Sequence, residues 1–187
     1  MTSSKSILSQ LADIVLKALT SRTPRSPEKE TGRSNVSNAV ATEGDAGRLR
    51  GSETVRVDPD RIRDLQVGYS PAKDDAPDSG EIIWTWVPYE ENDGRGKDRP
   101  VLVIGRQSAD RVYAVRMTSK PHDRDRDFLS IGSGAWDSQG RESWVDIELL
   151  YSVHDGGMRR EAAVLKRALY DRVASALISR YGWARLD

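Results

Sequence analysis

The change of texture at Gly80 constrains this chain more than any other feature. Beyond it, short β-type runs recur at close spacing, over residues 81–87, 99–104, 111–117, 128–131 and 143–147. Residues 111–117 (Arg-Val-Tyr-Ala-Val-Arg-Met) alternate at period two, the signature of a strand with one face against a core. Pro100 sits at the start of its run, where a missing N–H is tolerated. Tyr151-Ser152-Val153 is expected to pair, through an Asp155-Gly156-Gly157 turn, with a strand over 161–165. Residues 166–180 read as a closing helix with Leu169, Val173, Ala176 and Leu177 as its apolar stripe. Closely spaced short strands followed by one helix predict a mainly-β fold, a small antiparallel barrel with a C-terminal helix.

All five tryptophans lie beyond Gly80, so the core is expected there, in a domain over 80–187. The preceding part divides in two. Residues 1–21 form an amphipathic helix candidate, with Ile7, Leu8, Leu11, Ile14, Val15, Ala18 and Leu19 on one face. Residues 22–79 are rich in Pro, Ser, Gly and alternating charge and are expected to be a disordered or weakly ordered linker. Within it, Thr54 to Pro59 alternates briefly, and Asp58-Pro59 has the form of a capped helical turn.

The 187 residues carry 29 basic and 29 acidic groups, so any nucleic-acid contact must use a local basic cluster rather than a general positive field. Without cysteine there is no disulfide or thiolate metal site, and the two histidines, His122 and His154, are too far apart in sequence for a zinc pattern. No metal or cofactor is expected. No apolar run approaches a membrane span or a signal-peptide core, and a cytoplasmic location is expected.

Two groups of residues have the chemistry to hold phosphate. The first is the loop after residue 90, where Arg95, Lys97 and Arg99 alternate with Gly94, Gly96 and Asp98. Glycines let an anion approach the backbone, and a guanidinium offers a rigid fork of donors to a phosphodiester. The same pattern also describes an exposed hairpin with solvated charges. The second is Arg116-Met117-Thr118-Ser119-Lys120-Pro121, where two hydroxyls and an ammonium follow a strand. It too has a plain reading, as a strand end with turn-forming hydroxyls. The alternating charges after His122 read as a solvated loop, and the tryptophans as core or interface groups. Ser108 and Ser143 have no His-Asp pattern around them, and no Walker loop is present.

These blocks resemble the MazF/PemK family, the toxins of bacterial type II toxin–antitoxin systems. Gly80-Glu81-Ile82-Ile83-Trp84 is similar to its opening. Lys97-Asp98-Arg99-Pro100-Val101-Leu102-Val103-Ile104 resembles its Arg-Pro-Ala/Val-Leu-Val-Ile block, and Arg116-Met117-Thr118-Ser119 its strand ending in Thr-Ser. Ser143 to Asp146 and Asp171 to Leu177 resemble its later strand and final helix. The resemblance implies an SH3-like barrel of the CcdB/PemK type. It implies a homodimer, a cognate antitoxin protein as partner, and metal-independent cleavage of single-stranded RNA, mostly mRNA, by the ribose 2′-hydroxyl. It implies Arg99 and Thr118 as catalytic residues, with Arg95, Lys97, Ser119 and Lys120 as RNA-binding ones. The loop over 90–98 is longer and more acidic at its start than the family pattern, which bears on sequence preference. The alternative is a non-catalytic module on the same barrel that binds DNA, RNA or gyrase.

Overall fold

The computed structural model describes residues 47–186, apart from Lys73, Asp75 and Asn92. The amphipathic helix expected over residues 1–21, and the linker as far as residue 46, lie outside the described residues. In chain order the strands are β1 (Val55–Val57), β2 (Gln66–Val67), β3 (Glu81–Pro88), β4 (Gly96–Arg106), β5 (Arg111–Thr118), β6 (Phe128–Gly132), β7 (Ser143–His154) and β8 (Met158–Val164). Helix α1 (Arg167–Tyr181) and a final strand β9 (Ala184–Arg185) follow. The mainly-β class with a C-terminal helix is as expected. The main sheet is antiparallel and runs β1-β7-β5-β4-β3-β8, with β6 added beside β7.

Both faces of this sheet are buried, which explains why β4 reads as a nearly continuous apolar run; β5, expected from its alternation to have one face against a core, is buried on both because α1 covers one side and the curl the other. Alternate side chains go to opposite sides. Leu102, Ile104, Tyr113, Val115 and Met117 pack under α1 with its Tyr170, Val173, Ala174 and Leu177. Val101, Val103, Val112 and Ala114 fill the inside of the curl with Ile83, Val87 and Tyr151. Helix α1 stops where Gly182 takes the left-handed conformation (φ 72°) and its N–H donates to the Ile178 carbonyl, a cap that glycine adopts without strain.

The curled sheet does not close by a ladder between its terminal strands β1 and β8. Its seam is closed by packing instead. Thr54, just before β1, is 2.6 Å hydroxyl to hydroxyl from Thr85 of β3, and Thr85 donates to the Gly157 carbonyl just before β8 (2.6 Å). Gly157 has no room for a side chain, since a Cβ there would lie 2.1 Å from the Ser52 carbonyl oxygen.

The stretch from Gly47 to Ser79, expected to be part of a weakly ordered linker, carries β1, β2 and the buried Leu65 and Val67. Its apolar anchors are few and widely spaced, so composition reads as linker, yet each finds a distant partner. Asp58 caps a 3-10 turn over Pro59–Arg61, with the proline at its start. Strand β2 pairs in parallel with β9, and Trp183 donates from Nε1 to the Ile62 carbonyl (2.8 Å). The hairpin expected between 151–153 and 161–165 is not formed. Both edges of β7 are occupied, by β5 and by β1 with β6, so the Asp155–Gly157 turn carries the chain to the free edge of β3. The two runs expected over 143–147 and 151–153 are one strand, β7.

Candidate functional site

The hairpin joining β3 to β4 and the end of β5 meet at one rim of the sheet. Strand β4 begins at Gly96, three residues earlier than expected, so Arg99 stands inside a strand opposite Thr85 of β3. On its other side β4 pairs with β5, Leu102 opposite Val115 and Val101 opposite Arg116. Carried two residues further, that register sets Arg99 abreast of Thr118. Both residues line a cleft of about 790 Å³, together with Lys97, Ser119 and Lys120. Five of the six candidates read from the sequence therefore share one concavity. Arg95 does not. It lies in the hairpin loop, bonded to Asp93 (2.6 Å), and faces a neighbouring groove of about 660 Å³ with Arg48 and Trp86.

The charges of the cleft are sorted. Each of its carboxylates is held by an arginine: Asp98 by Arg159 (3.1 and 2.8 Å), Asp137 by Arg141 (2.8 Å), and Glu161 by Arg159 (3.7 Å). Among the described residues no carboxylate pairs with Lys97, Arg99 or Lys120. The cleft thus presents uncommitted cations on a wall whose acids are neutralised, which favours an anionic ligand. Thr118 Oγ1 accepts from the Lys120 backbone N–H (3.2 Å), so its own proton remains to be donated. Trp84 and Trp136 form apolar wall, the latter fixed by its Nε1 donating to Ser143 Oγ (3.1 Å).

Thr118 owes its position to an irregularity in β7. Val115 opposes Leu150, but Met117 opposes Val145, so the pairing shifts by three residues around Asp146. Asp146 is buried. Its Oδ1 accepts from the N–H groups of Glu148 (2.9 Å) and Leu149 (3.3 Å), and its Oδ2 from Arg116 Nε (2.7 Å). Arg116 also reaches Glu90 in the β3–β4 loop (3.2 Å). Burial works against the Arg116 charge, but the adjacent Asp146 carboxylate outweighs it and holds the guanidinium firmly protonated.

Arg159, Trp136, Arg141 and Ser143 belong to this cleft, and none was singled out as a site residue from the sequence. The doublet Arg159-Arg160 carries no motif, and the partner of Arg159, Asp98, is 61 residues away.

The match to a known family covers the same residues. The family model described as PemK-like, MazF-like toxin of type II toxin–antitoxin system spans residues 78–180, which holds the whole cleft. Similar solved structures include a MazE–MazF crystal structure from Deinococcus radiodurans, 18% identical, covering 58% of this chain and 98% of that one (TM-score 0.43). MazF of the same organism is 20% identical over 57% and 96% (TM-score 0.44). An endoribonuclease from a mycobacterial species is 12% identical over 57% and 92% (TM-score 0.39). A comparison with curated proteins gives no match. Since the family model takes in more than half of the chain, from the turn before β3 to the last turn of α1, the chain belongs to the PemK-like, MazF-like toxins of type II toxin–antitoxin systems.

Proposed function

We propose that the cleft cuts single-stranded RNA, and that the protein is a sequence-selective, metal-independent endoribonuclease toxin that inhibits growth by cleaving mRNA in the cytoplasm. The observation that carries this reading is the sorting of charge: paired acids, with Lys97, Arg99 and Lys120 left to meet phosphate beside the Thr118 hydroxyl. In the reaction a ribose 2′-oxygen attacks the adjacent phosphorus and loses its proton. That proton passes to water, the bond to the 5′-oxygen breaks and the departing oxygen takes up a proton from water, leaving a 2′,3′-cyclic phosphate and a 5′-hydroxyl. Negative charge grows on the non-bridging oxygens, and fixed donors stabilise it as it forms. Arg99 and Thr118 are the catalytic donors. Arginine holds its proton too tightly to serve as a base, so Arg99 acts by charge and hydrogen bonding. Lys97 and Lys120 neutralise flanking phosphates, Ser119 adds a hydroxyl donor, and Arg95 receives the strand in the adjoining groove. Family membership supports a cognate antitoxin and a homodimer as partners.

The test is purified full-length protein incubated with single-stranded RNA in EDTA. We expect cleavage, reduced about 10²–10³-fold by Arg99→Ala, the scale for losing one transition-state donor. No cleavage by the native chain, or unchanged cleavage by the variant, overturns the reading. Binding without cleavage would favour a non-catalytic module.

A further inference from the structure

We propose that the chain before β3 supplies one wall of a second RNA subsite, in which Tyr89 stacks a base next to the scissile step and Arg56 meets a flanking phosphate; the inference rests on the reading of the cleft as a ribonuclease site and names a source of its selectivity. The groove of about 660 Å³ beside the cleft has two walls. One is the β3–β4 hairpin, with Trp86, Tyr89 and Arg95. The other is drawn from residues 47–59 and includes β1. That second wall lies outside residues 78–180, the part matched by the family model, so this chain adds it to the matched domain.

Tyr89 lines both concavities, so the groove opens directly beside the cleft. The residue is 36% exposed, and its place on the ridge is fixed from two sides. Its backbone N–H donates to the Arg95 carbonyl (3.0 Å), which closes the neck of the hairpin, and the next residue, Glu90, is bonded to Arg116 (3.2 Å). An aromatic ring held at the edge of a phosphate-binding cleft suits a base turned out of a single strand, since every base has a face to stack. Arg48 joins the two walls, its guanidinium 5.0 Å from the Trp86 ring centroid. The acids of the groove are partnered: Glu53 by the Gly51 N–H (2.7 Å), Asp58 by Arg61 (3.2 Å) and Glu90 by Arg116. Arg56 is exposed, and among the described residues no carboxylate pairs with it. The groove therefore offers a stacking platform and a cation in direct continuation of the phosphate site. That continuity and that charge fit a nucleic-acid strand.

The experiment uses the full chain. A cut site is mapped on a long single-stranded RNA, and two oligonucleotides are made around it, a short one confined to the cleft and a longer one that reaches the groove. The native protein should favour the longer RNA in kcat/KM, and do so through KM. Tyr89→Ala should cut the long-to-short ratio roughly tenfold, the scale of one lost stacked base. Tyr89→Phe keeps the ring and should retain the ratio. Arg56→Gln should lower the ratio as well and make binding of the longer strand less sensitive to salt, because one phosphate contact is gone. Should Tyr89→Ala fail to fold, Tyr89→Leu removes the ring while keeping bulk and gives the same comparison. A second readout needs no cleavage: fluorescence anisotropy of the longer strand made with 2′-O-methyl ribose should show weaker binding in Tyr89→Ala and Arg56→Gln. Native protein with no preference for the longer RNA, or a preference that both variants leave intact, overturns the inference; the second result is the one expected if the groove is covered by a protein partner. Native protein that cuts no RNA but binds the 2′-O-methyl strand through Tyr89 and Arg56 overturns the ribonuclease reading and supports the subsite.

Discussion

Asp146 illustrates how much one side chain can determine. It is 1% exposed, and its two oxygens take three hydrogen bonds from the backbone of β7 and from Arg116. A buried charge of this kind is tolerated only while its partners are in place. Asp146→Ala leaves Arg116 without its buried counter-charge and two backbone N–H groups without acceptors. We expect a loss of about 3–5 kcal/mol, read from the denaturant midpoint. Asp146→Asn keeps an acceptor for the N–H groups and should lose less. Arg99 and Thr118 stood out in the sequence as candidates because basic and hydroxyl residues stood beside apolar runs, and both line the cleft. The place of Arg159 in the cleft was not legible, because its partner Asp98 is a carboxylate two strands away in the sheet.

Among the elements, β3, β4 and β5 were readable because alternation and β-branching are local properties. The pairing of β8 with β3 rather than β7 was not, because it depends on which strand edges are already occupied. The segment carrying β1 and β2 was the harder case. Between Gly47 and Ser70 only a few apolar side chains reach the core, but Leu65 and Val67 are 3% and 0% exposed. Full burial of each contributes about 1.5–3 kcal/mol. The segment also supplies the Gly68 carbonyl that accepts from the Tyr170 hydroxyl (3.0 Å) and the Ile62 carbonyl that accepts from Trp183. A truncated chain beginning at Ser79 keeps every residue of the cleft but loses these contacts and the seam. It should melt well below a chain beginning at Ala39 and show exposed apolar surface by dye binding. A chain beginning at Ala39 is accordingly the one that isolates the effect of residues 1–38 on activity.

For the molecule as a whole, buried tyrosines link stability to alkaline pH. Burial raises the pKa of Tyr113, Tyr151 and Tyr170 above the ordinary value of 10.0, and most strongly that of Tyr170, whose hydroxyl also donates to the Ile104 carbonyl (3.2 Å). A tyrosine that stays neutral in the fold but ionises when unfolded stabilises fully below pH 10 and loses that contribution as pH rises further. Unfolding free energy should therefore fall from about pH 10 upward, and Tyr170→Phe should make that slope shallower; denaturant titrations across this range measure it.

The seam that joins the ends of the curled sheet has a dynamic consequence. Elsewhere, neighbouring strands are held by ladders of backbone hydrogen bonds, which open only together. Among the described residues, the ends of the sheet beside β1 and β8 are joined by two threonine hydroxyls, a close glycine contact and the Arg48 guanidinium over the Trp86 ring, with no ladder between them. Opening this seam exposes little apolar surface and breaks few bonds, so it requires less free energy than global unfolding. The curl therefore has a buckle, and amide protons beside Thr54 and Gly157 will exchange with solvent through that local opening while the centre of β5 stays closed.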